Sequence, residues 1–107
     1  DTDAVFTTSN LDAIGAAQGI AAAGLEGKVK LCGINFDEGI LNQIKEGKQS
    51  CAVDQQGYQQ GFYAVSILNG YINYGLSIAT REILTGPGVV DAKTIDATMA
   101  GAKQGTR

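Results

Sequence analysis

The sequence predicts an α/β fold of three layers, a parallel sheet flanked by helices. Three observations point there. Short apolar runs at residues 3–8, 28–34 and 50–54 alternate with stretches of helical period, giving β-α-β-α-β. Those runs are apolar throughout rather than alternating, the pattern of strands covered on both faces. Polar residues follow each run directly, and right-handed crossovers bring the C-terminal ends of all three strands to one edge.

Each element has its own warrant. D-A-V-F-T-T (3–8) reads as a short buried strand. A helix over 11–23 follows, with Asn10 as its expected N-cap and Ile14, Ala17 and Ala21 on one face. Ser9 with Asp12 approximates a capping box, and Gly24 is the expected stop. Gly15 and Gly19 form a G-x-x-x-G spacing, read here as close helix-to-sheet packing. K-V-K-L-C-G-I (28–34) is the second strand, and a helix over 38–46 turns Ile40, Leu41 and Ile44 inward before Gly47. The third strand occupies 50–54. A long helix over 58–74 carries one stripe of Phe62, Val65, Leu68 and Ile72 and a second of Tyr63, Ile67, Tyr71 and Tyr74, so burial on more than one side is expected. T-G-P-G (85–88) is a turn, Val89 and Val90 a short strand, and 92–102 a weakly amphipathic helix on Ile95, Met99 and Ala102. The last three residues read as a frayed end.

Composition narrows the function. The 107 residues are 44% hydrophobic with net charge −3, ordinary for one small domain. The eight basic residues are scattered and form no stripe, so nucleic acid is not an expected partner. No apolar run approaches the roughly 18 residues of a membrane span. The absence of histidine removes Ser-His and Cys-His catalysis and the commonest metal ligand. No phosphate-loop, dinucleotide, nucleophile-elbow or zinc-protease motif is present, so neither an enzyme nor a cofactor is expected. The cysteines, Cys32 and Cys51, have no metal spacing. Free buried thiols are the first reading and a cross-strand disulfide, which needs an oxidising compartment, the second. The chain starts at Asp1 rather than Met, and is expected to be a processed chain or a piece of a longer one.

The candidate site lies at the strand ends, where ligands bind in open α/β sheets. The candidate ligand-binding residues are Ser9, Asn10, Asn35, Asp37, Asp54 and Gln55, with Thr7, Thr8 and Gln56 beside them. Amides donate and accept at once, as sugar hydroxyls do, and carboxylates accept strongly from hydroxyls. No Arg or Lys stands among them in sequence, which favours a neutral, hydroxyl-rich ligand. Phe36 and Tyr58 are the nearest aromatics for a sugar face. Capping alone would account for Asn10 or Asp37, while Gln55 and Gln56 have no such role.

The stretches D-A-V-F-T-T-S-N-L-D-A-I-G-A-A (3–17), V-K-L-C-G-I-N-F-D (29–37), I-K-E-G-K (44–48), A-V-D-Q-Q-G-Y-Q-Q-G (52–61) and L-T-G-P-G-V-V-D (84–91) resemble the C-terminal portion of type I periplasmic sugar-binding proteins of ABC transporters, the ribose-binding class. Ser9-Asn10 stand where that family has Asn-Asp, Asn35 takes the place of its sugar-binding Asp, and Gln55 matches its ligand Gln. The resemblance implies two α/β lobes joined by crossing strands, with this chain a partial copy. Residues 1–56 would belong to the C-terminal ligand-binding lobe, 57–89 would return to the N-terminal lobe, and 90–107 would cross back as a tail. It implies a periplasmic substrate-binding component of an importer. Its partners would be a small-molecule sugar or polyol held between the lobes, an ABC permease in the inner membrane and the remainder of the parent protein. The alternative that shares this fold is the effector-binding core of a LacI-type repressor.

Overall fold

In order, the chain forms β1 (Ala4–Thr7), α1 (Asn10–Ala22), β2 (Lys30–Ile34), α2 (Glu38–Lys45), β3 (Cys51–Asp54), α3 (Gly57–Tyr74), β4 (Gly88–Asp91) and α4 (Ile95–Lys103). The computed structural model describes residues 1–107. The strands make one sheet in the order β1-β2-β3-β4. The first three are parallel, and β4 joins β3 antiparallel with Gly88 opposite Asp54. Parallel neighbours need long crossovers, which α1 and α2 supply.

The core lies between one sheet face and the helices. Ala13 of α1, Ile40, Leu41 and Ile44 of α2, and Ile95 of α4 cluster with Ala52 and Val90 of the sheet, with Met99 and Ala102 packed alongside. The α/β class, with a sheet flanked by helices, is therefore as expected. Within residues 1–107, however, the helices cover one face. A sheet ordered β1-β2-β3 with crossovers of one hand puts its connecting helices on the same side. The opposite face carries Phe6 and Val89, both well exposed, with Ile34 and Val53 between them.

Four local expectations are corrected. The cysteines are not free thiols: the parallel register sets Cys32 opposite Cys51 with Cα atoms 4.7 Å apart, and they form a disulfide. The N-cap of α1 is Ser9, whose Oγ accepts from Asp12 N at 3.2 Å, rather than Asn10. Gly15 and Gly19 face open space, and the buried α1 residue is Ala13. The A-I-G-A-A-Q-G-I-A-A run is small and apolar nearly all round, so its period does not select a packing face. No residue of α3 is buried, against the expectation for that helix. Its end is as read, with Gly75 left-handed at φ 63°.

Residues 76–85 return along α3, Leu76 N bonding Gly70 O at 3.2 Å and Ile78 sharing a cleft with Ile67 and Leu68. The T-G-P-G turn then fits closely against the end of β3: a Cβ at Gly86 would lie 3.0 Å from Asp54 O. After β4, Asp91 Oδ1 accepts from Lys93 N at 2.9 Å and Thr94 N at 3.2 Å. These bonds, the one from Lys93 first, hold its carboxyl below the usual carboxylate range.

Candidate functional site

The ends of β1, β2 and β3 lie side by side, and the candidate residues fall into two adjoining groups. The first is Ser9, Asn10 and Asp37. Ser9 caps α1 and Asp37 caps α2, its Oδ1 accepting from Ile40 N at 2.9 Å. Asn10 Nδ2 donates to Asp37 Oδ2 at 3.4 Å across the gap between the two helix starts. Each of these side chains thus has a structural bond and retains further lone pairs or N–H donors.

The second group is Asn35, Asp54 and Gln55, which line one cavity of about 270 Å³ with Phe36, Gln60 and Arg107. Asn35 and Gln56 are the only non-glycine residues with positive φ, at 71° and 56°. Left-handed backbone is cheap for Asn and costs a long side chain of the order of 1 kcal/mol. Both are held in place: Asn35 N bonds Val53 O at 2.8 Å, and Gln56 N bonds Asp54 Oδ1 at 2.7 Å. The chain therefore leaves β2 and β3 through fixed left-handed turns, and such outliers concentrate at binding sites.

Asp54 is 3% exposed. A carboxylate so buried needs a partner, and Arg107 supplies one, its guanidinium lying 2.5 Å from Asp54 Oδ2. The expectation that no cation stands at the strand ends is corrected here, as is that of a frayed terminus. Thr106 N and Oγ1 both donate to Gly101 O, at 3.0 and 3.1 Å, and turn the tail back over α4.

Phe36 joins the two groups. It packs on the core and lines both the Asn35 cavity and a neighbouring one of about 350 Å³ with Asp37, Met99 and Arg107. Tyr58 is outside both cavities; it stacks on Phe62 of α3 at 6.2 Å between ring centroids. Two residues of the site were not read from sequence. Gln60 reaches back from the first turn of α3, its Nε2 donating to Gln55 O at 2.7 Å. An amide one turn past a strand-end glycine is a signal that could have found it. Arg107 is 53 residues from Asp54 and nothing local announces it. No group of acidic, His or Cys residues is arranged to hold a metal.

This arrangement defines a class: an open α/β lobe with a polar cavity outside the C-terminal ends of parallel strands. The chain belongs to the periplasmic binding protein domain family, whose family model matches residues 1–76. It resembles a carbohydrate transporter from Acidothermus cellulolyticus 11B in complex with myo-inositol, with 34% identity and TM-score 0.83 over 98% of this chain and 36% of that one. A periplasmic ribose ABC transporter from Conexibacter woesei DSM 14684 matches with 30% identity and TM-score 0.82, over 99% of this chain and 36% of that one. An ABC transporter periplasmic solute binding protein from Actinobacillus succinogenes 130z, with bound D-allose, matches with 28% identity and TM-score 0.79, over 89% and 32%. The chain thus spans about a third of the length of these structures. No curated sequence matches it.

Proposed function

We propose that these residues form part of the substrate-binding component of an ABC importer, which holds a neutral sugar or polyol between two lobes and presents it to a membrane permease without chemical turnover. The observation that carries this reading is the cavity at the ends of β2 and β3, lined by the amides of Asn35, Gln55 and Gln60 beside the Phe36 ring. Amides match hydroxyls as donor and acceptor, and the face of an aromatic ring suits the apolar face of a sugar. The structural relatives named with myo-inositol, ribose and D-allose support the ligand class.

Residues 1–56 supply one wall. The chain then passes through left-handed Gln56 into α3, whose exposed stripes support its assignment, with the return that follows it, to the opposite lobe. The chain is back in the first lobe by Gly88, two residues before the expected boundary at 90, since β4 (Gly88–Asp91) pairs with β3. Ligand closure would then occur about the residues that follow Asp54. No helix is long and apolar enough to cross a membrane. The Cys32–Cys51 disulfide supports a periplasmic location and weighs against the cytoplasmic repressor core.

The test is calorimetric titration of the complete polypeptide with myo-inositol, D-ribose and D-allose. Asn35→Ala and Gln55→Ala are each expected to weaken binding more than about tenfold, since each amide, exposed here, would be desolvated against ligand hydroxyls in the closed cleft and its removal would leave them unpaired. Unchanged affinity in both variants, with unchanged circular dichroism, sinks the site.

A further inference from the structure

We infer that Arg107, rather than Asp54, is the charged group that meets the ligand, and that Asp54 is the residue that positions it. The inference rests on the sugar-site reading above and concerns the division of roles inside that site. Both Asp54 oxygens are already engaged: Oδ1 accepts from Gln56 N at 2.7 Å and Oδ2 from Arg107 Nη1 at 2.5 Å. With the side chain 5% exposed, little of that carboxylate is left for a ligand hydroxyl.

The Arg107 side chain is in the opposite condition. It is 34% exposed, and its bond to Asp54 is the one hydrogen bond its guanidinium makes. A guanidinium carries five N–H donors in a rigid fork, so most remain free. It lines both the Asn35–Gln55 cavity and the Asp37 cavity, so the side chain stands on the boundary between the two polar groups. Its stem has a built seat. A Cβ at Gly101 would come within 3.0 Å of Arg107 Cγ and 3.5 Å of its Nε, so the bare glycine leaves the room the stem occupies. The Thr106 bonds to Gly101 O fix the backbone just before it.

The ligand class follows from the charge. The Asp54–Arg107 pair is neutral as a unit, so it offers directed donors without a net positive charge. That suits acceptor oxygens of a neutral polyol and gives a sugar phosphate or sugar acid no unpaired cation.

The experiment uses the complete polypeptide and calorimetry with neutral pentoses, hexoses and myo-inositol, the tightest of which serves as probe. Arg107→Ala is expected to weaken the probe at least tenfold. Arg107→Lys, which keeps a charge on Asp54 but loses the fork, is expected to weaken it several-fold with the thermal midpoint preserved. Asp54→Asn should weaken binding too, and the Asp54→Asn/Arg107→Ala double variant should bind no worse than Arg107→Ala, because Asp54 acts through Arg107. Gln55→Ala serves as the control on the underlying reading. If Gln55→Ala loses affinity while folded Arg107→Lys and Arg107→Ala bind like wild type, the Arg107 role is overturned and the sugar site stands. Additive losses in the double variant overturn the positioning role by showing that Asp54 meets the ligand itself. If the wild type binds no member of the panel, the sugar-site reading falls and this inference with it.

Discussion

Thr7 and Gly33 show how a single side chain fixes the edge of the candidate site. They are register partners at the ends of β1 and β2, and a Cβ at Gly33 would fall on Thr7 Oγ1. Both are buried, and the Thr7 hydroxyl, which has no hydrogen-bond partner where it stands, would have to turn away inside the packed interior to admit the methyl. Gly33→Ala should therefore cost about 1–3 kcal/mol through overpacking. Gly15→Ala, on the open face of α1, should add about 0.5–1 kcal/mol through helix propensity. Urea unfolding of both variants in the complete polypeptide checks the pair, and effects of the same sign contradict the packing assigned here. Sequence pattern located both glycines but could not rank them. G-x-x-x-G looked like a contact motif because spacing defines a helix face without saying what the face meets. Gly33 looked like an ordinary strand residue because its constraint comes from the neighbouring strand.

At the scale of elements, the strands and helices were legible to within about three residues because most carry their own punctuation: Asp37 before α2, Gly47 after it, Gly75 after α3. The placement of the six candidate residues at the strand ends was legible for a related reason, since polar residues directly after apolar runs mark strand ends. Pairing between elements was not. Nothing local says that Cys32 and Cys51 share a register row; only the β2–β3 alignment does. The same limit hid Arg107, whose place depends on β4 and α4 carrying the tail back to the end of β3. The disulfide closes a loop of sequence separation 19, for which chain entropy predicts about 3 kcal/mol of stabilisation. Replacing both cysteines by alanine should lower the unfolding free energy by roughly that amount in the absence of reductant. Adding reductant should then destabilise the wild type and leave the double variant unmoved. Equal unfolding midpoints for wild type and double variant without reductant would contradict a formed bridge.

For the molecule as a whole, the long axis is the informative feature. The principal extents are 59 × 27 × 21 Å, and the 18-residue α3 contributes no buried residue to the core. Its sequence is nevertheless that of a covered helix, which is why the pattern predicted burial that residues 1–107 do not supply. The pattern and the structure are reconciled if α3 packs on a lobe formed by other parts of the complete polypeptide, as the third of the relatives' length spanned here allows. This makes a quantitative difference. Leu68 is 56% exposed and Ile72 66% exposed here, and truncating such surface residues ordinarily changes stability by about 0.5 kcal/mol or less. If a second lobe covers them, Leu68→Ala and Ile72→Ala in the complete polypeptide should each cost about 2–4 kcal/mol, as core truncations do. Urea denaturation of the two variants distinguishes the cases. Losses near 2 kcal/mol or more place α3 inside a second hydrophobic core. Losses of about 0.5 kcal/mol in both would leave the helix on the surface, remove the opposite wall of the proposed cleft, and oblige any ligand to be held by the strand-end residues and Arg107 alone.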